Sequence, residues 1–66
     1  MERIKVVVGD KKISSTDYHF KAALLEFDGK CGDVLEYDGM VDCYLVKFDC
    51  SVFKQWIIKS FTIKNR

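Results

Sequence analysis

The residues best suited to chemistry are three cysteines, Cys31, Cys43 and Cys50, and one histidine, His19. Together they could supply the four Cys/His ligands that a structural zinc site needs. Such sites draw ligands from close pairs, and here the cysteines are 12 and 7 residues apart with His19 remote from all three. A free cysteine otherwise behaves as a small buried hydrophobe. The thiols are therefore expected to be reduced, with no metal and no cofactor. An odd number of cysteines also argues against a secreted disulfide scaffold and for a reducing cytoplasm. For nucleophilic catalysis, Cys31 beside Gly32 has the most exposed-looking thiol, with His19 and Asp33 as imaginable partners. A 66-residue chain leaves little room for a pocket of roughly 300–1,000 Å³, so neither an enzyme nor a small-molecule substrate is expected.

Lys54, Lys59, Lys64 and Arg66 interleave with Trp56 and Phe61, and Lys11 and Lys12 could join them. Lysines on phosphates and aromatics on bases make a nucleic-acid surface. Against it, acids and bases nearly balance at a net charge of +1, which leaves no global field to draw a polyanion. Trp56 and Phe61 serve equally well as core residues above a solvated lysine face. Nine aromatics, among them Tyr18, Tyr37, Tyr44 and Trp56, exceed what so small a core can bury, and exposed Tyr and Trp are typical of protein interfaces.

The elements that position these residues follow from periodicity. Residues 3–8 alternate as a strand, with Ile4, Val6 and Val8 on one face. Gly9-Asp10 breaks it. Residues 16–27 are read as a helix or helical turn, with Phe20, Ala23, Leu24 and Phe27 inward. Ser14 and Asp17 have capping-box spacing, and Gly29 stands as a C′ glycine. A strand over residues 21–27 is the competing assignment. Residues 34–37 and 42–48 form a hairpin around Asp38-Gly39, with Gly39 expected at positive φ and Tyr44, Val46 and Phe48 on the core face. A further strand over residues 52–58, a break at Lys59-Ser60 and a last strand over residues 61–63 complete the chain. No window approaches the ~20 apolar residues that span a bilayer, and no signal-type stretch opens the sequence, so no membrane association is expected.

Taken in order, strand 3–8, a long excursion, Gly29-Lys30-x-Gly32-x-Val34, Tyr44-Leu45-Val46-Lys47-Phe48, Trp56 and the Lys59-Ser60 break resemble the small SH3-like barrels, the group that includes KOW and Tudor modules. The resemblance implies one domain over residues 1–66, mainly β, a barrel of about five strands with one short helix in its first long loop. It also implies a single 3₁₀ turn before the last strand. The chain departs from signalling domains in lacking a dense acidic loop and a proline-binding aromatic pair. In size and composition it also resembles accessory proteins of bacteriophages and prophages. That resemblance implies a regulator or inhibitor of a host protein, acting in the host cytoplasm. The expected function is a non-enzymatic protein-binding module that contacts its partner through Tyr18, His19, Lys21, Leu25, Tyr37 and Trp56. The alternative is a nucleic-acid-binding module of KOW or Tudor type using Lys54, Lys59, Lys64 and Arg66.

Overall fold

The computed structural model describes residues 2–65, except for the side chains of residues 15–17. Asp17 as a capping side chain and Arg66 as a nucleic-acid contact therefore lie outside the described residues. Five antiparallel strands form one sheet: β1 (Arg3–Val6), β2 (Cys31–Asp38), β3 (Cys43–Phe48), β4 (Lys54–Ile58) and β5 (Thr62–Lys64). Their order is β4-β3-β2-β1-β5, so β4 and β5 are the outer strands. The excursion between β1 and β2 holds a 3₁₀ helix, Ser15–Phe20, followed by α1, Lys21–Phe27. A second 3₁₀ helix, Lys59–Phe61, joins β4 to β5, where the sequence has its break.

β1 is shorter than residues 3–8. Beyond Val6 its amides turn to other partners: Val7 N donates to Phe61 O at 2.8 Å and Val8 N to Asp28 Oδ1 at 3.0 Å. Ile4, Val6 and Val8 nevertheless all point into the core. The excursion is helical, as its spacing implies. Leu24 and Phe27 are buried, Phe20 and Ala23 pack on the core, and the Phe27 ring stacks on Phe48 at 4.1 Å. The helix ends in a tight turn in which Lys30 N donates to Phe27 O at 2.9 Å. Gly29 takes φ 81° there, a value only glycine adopts readily, and its amide reaches back to Val6 O at 2.7 Å.

In the β2–β3 ladder Gly32 faces Phe48, and the fit requires glycine. A Cβ at this position would come within 2.6 Å of Lys47 O and 2.8 Å of Phe48 Cα. Between Val34 and Glu36 the register shifts by a bulge at Leu35. The turn differs from the two-residue Asp38-Gly39 form. Asp38 pairs with Cys43, so the loop is residues 39–42. Positive φ falls on Asp42, at 52°, and not on Gly39. Side-chain bonds stabilise this longer loop: Met40 N donates to Asp38 Oδ1 at 3.0 Å, and Tyr37 Oη to Asp42 Oδ1 at 2.6 Å.

On β3, Val46 and Phe48 are fully buried and Tyr44 packs partly against them. Cys43, on the opposite face, is also fully buried, and its cross-strand partner Ile58 is nearly so. That end of the β3–β4 pair is therefore covered on both sides. β4 begins at Lys54, two residues later than its apolar pattern suggests. Ser51 bends the chain first, accepting from Phe53 N on its Oγ at 3.1 Å and from Lys47 Nζ on its carbonyl. Val52 and Phe53 are left exposed in that bend. Among the described residues no helix is long and apolar enough to cross a membrane.

Candidate functional site

The six residues assigned to partner binding separate into two groups. Tyr18, His19, Lys21 and Leu25 line one open hollow of about 310 Å³ together with Ala22. Helical spacing causes this. With Leu24 and Phe27 turned inward, Leu25 and Ala22 turn out, and Lys21 Nζ lies 5.3 Å from the Tyr18 ring centre. Tyr37 and Trp56 line a second, wider hollow of about 660 Å³ with Glu36, Asp38, Gly39 and Met40. The sheet register builds it. Glu36 stands opposite Leu45, and Leu45 opposite Trp56, so a carboxylate, an aliphatic side chain and an indole follow one another across three strands. The chain thus does form concavities of several hundred Å³, contrary to the limit drawn from its length. They are depressions in the surface rather than enclosed cavities.

Of the basic residues, Lys59 and Lys64 come together and Lys54 does not. Lys59 and Lys64 line a smaller hollow of about 140 Å³ with Tyr44 and Thr62. Lys59 Nζ lies 5.3 Å from the Tyr37 ring centre and 6.0 Å from that of Tyr44. Lys54 stands at the other end of β4, opposite Lys47. Phe61, read as a base-stacking candidate, is buried in the core because the second 3₁₀ helix turns it inward. Lys11 packs over its outer side and donates to Ser60 O at 2.8 Å.

The thiols also sit otherwise than the sequence suggests. Cys50 is the exposed one. Cys31 lies within β2 and is half-buried, its Sγ accepting from Asn65 Nδ2 at 3.0 Å. Asp33 is bound to Arg3 at 3.0 Å, and His19 belongs to the hollow beside Tyr18. No group of three or more His, Cys, Asp or Glu able to hold a metal occurs among the described residues.

Two electrostatic features stand out. Arg3 holds Asp33 at 3.0 Å and Asp49 at 2.6 Å, tying β1 to β2 and to the β3–β4 turn. The hydrogen bond from Arg3 keeps the Asp49 carboxyl below its ordinary range, and the same contacts raise the Arg3 guanidinium. At the hairpin, donation to Asp42 holds the Tyr37 phenol above its ordinary value.

Sequence reasoning missed Glu36, Asp38 and Met40 as parts of the wider hollow. Their signal is the run Glu36-Tyr37-Asp38-Gly39-Met40, where acidic and large apolar residues alternate beside the turn. Comparison of the chain with protein-family models, with curated proteins and with solved structures gives no match.

Proposed function

We propose that this chain is a non-enzymatic protein-binding module built on an SH3-like barrel. The strand order β4-β3-β2-β1-β5, the long excursion after β1 and the 3₁₀ turn before β5 support the barrel assignment. The observation that carries the function is the distribution of exposed apolar side chains. Met40 is 96% exposed, Val52 82%, Phe53 76% and Tyr18 64%, and Met40 lines the same hollow as Tyr37 and Trp56. Met40, Tyr18 and Phe53 lie in separate surface hollows, and exposed apolar side chains among polar neighbours are the usual composition of a protein interface. An odd number of cysteines suits a reducing cytoplasm. Small size and exposed aromatic side chains suit a phage-type regulator or inhibitor of a host protein. Affinity capture at high salt tests the function. Recovery of one protein, lost on Tyr37→Ser or Met40→Glu, supports it.

The second reading is a nucleic-acid module, favoured by the meeting of Lys59 and Lys64 beside Tyr44. Binding to an oligonucleotide that weakens steeply with salt, and is lost on Lys59→Ala and Lys64→Ala, is its test.

A further inference from the structure

We propose that the hollow between Trp56 and the β2–β3 hairpin receives an arginine side chain of the partner protein. This rests on the protein-binding function proposed above and names the chemistry that the site selects.

The lining is Glu36, Tyr37, Asp38, Gly39, Met40 and Trp56, which holds two carboxylates and no base. Among the described residues the ion pairs are Arg3–Asp33 and Arg3–Asp49, and neither Glu36 nor Asp38 takes part in one. Neither Lys59 nor Lys54 is among its lining residues. Lys59 lies over the rings of Tyr37 and Tyr44, and Lys54 stands opposite Lys47. Asp42, hydrogen-bonded to Tyr37, adds a third carboxylate at the same hairpin. The hollow is thus locally acidic in a chain of nearly balanced charge.

The register then supplies the geometry. Glu36, Leu45 and Trp56 form one row across three strands, with the carboxylate and the indole at its two ends. A guanidinium between them can stack on the indole face and donate to a carboxylate at once. Lysine, a compact and strongly hydrated charge, gains less from the indole. The aliphatic stem of the arginine lies along apolar surface, which Leu45 and the 96% exposed, unbranched Met40 provide. Nucleic acid is disfavoured here, since the same carboxylates repel phosphate.

The test uses a library of random twelve-residue peptides displayed on phage and selected against the folded chain. Selected peptides are then measured against the wild type, Glu36→Gln/Asp38→Asn and Trp56→Phe. The amide replacements keep the Asp38 side-chain acceptor for Met40 N, so the loop is preserved while the charge is removed. The expected result is arginine in the selected peptides and at least about a tenfold loss of affinity in the amide variant. Lysine in place of that arginine weakens binding, and Trp56→Phe weakens it less than the amide variant does. Peptides that lack arginine, or that bind the amide variant as well as the wild type, overturn this proposal and leave the protein-binding function standing. A library that yields no binder, with oligonucleotide binding in its place, overturns both.

Discussion

The β2–β3 ladder has two ends built to different rules, and the bulge at Leu35 separates them. Before the bulge, Gly32 faces Phe48 and Val34 faces Val46, with β1 paired along the other edge of β2 and the Phe27 ring stacked on Phe48. Space there is so short that a single methyl does not fit at Gly32. After the bulge, Tyr37 faces Tyr44, the rings meet at 5.6 Å with a 59° tilt, and the loop beyond carries a nearly bare Met40. One end spends its apolar side chains on stability. The other leaves Tyr37, Met40 and Val41 exposed beside the buried Cys43.

The largest effect should come from the sealed end. Phe48→Ala removes a fully buried ring stacked on Phe27, and a loss of about 3–5 kcal/mol is expected in denaturant unfolding. For a chain this small that is most of its stability, so the variant should be largely unfolded at room temperature. Gly32→Ala follows. Its Cβ meets backbone atoms that cannot swing aside, and overpacking should cost about 1–3 kcal/mol. Gly39→Ala at the open end sharpens the contrast. The nearest atom to its Cβ is Tyr37 Cε2 at 3.5 Å, an ordinary contact, and a change within about 0.5 kcal/mol is expected. A melting temperature that falls as far for Gly39→Ala as for Gly32→Ala would break the comparison.

Smaller effects concern charge. The folded pKa of Asp49 lies below its unfolded value, so the stability it contributes is present above the ordinary carboxylate range. That stability is lost as pH falls through the depressed folded value. Acid unfolding below pH ~4 should therefore lose part of its pH dependence in Arg3→Met. The smallest effect is at the hairpin. Ultraviolet titration should show a tyrosine that ionises above the ordinary phenol range, and Asp42→Asn should bring it back. If the late tyrosine persists in that variant, the Tyr37–Asp42 bond is not its cause.

Much of the sealed end was legible in the sequence, because burial imposes period. Ile4, Val6 and Val8 alternate, Val46 and Phe48 alternate, and Phe20, Ala23, Leu24 and Phe27 keep helical spacing. The break at Lys59-Ser60 likewise announced a turn. The open end was misread for the complementary reason. Asp38-Gly39 is a strong two-residue turn signal, yet side-chain bonds at Asp38 and Asp42 favour a four-residue loop. Propensity does not register such bonds. The bulge at Leu35 has no local signature at all, and without it Glu36 cannot be placed in line with Trp56. Val52 and Phe53 read as strand, but the bonds to Ser51 bend the chain before pairing begins. Exposure of the thiols depends on pairing too, which is why Cys31 and Cys50 were reversed.

Native-state amide hydrogen exchange, read residue by residue along β2 and β3, tests the division most directly. The amides of Gly32, Val34, Val46 and Phe48 should exchange only through global unfolding. Those of residues 37–42 should open at clearly lower free energy, as expected of a segment with few buried apolar side chains. Uniform protection along the whole ladder would contradict the account, since the hairpin would then be as much a part of the sealed core as Gly32.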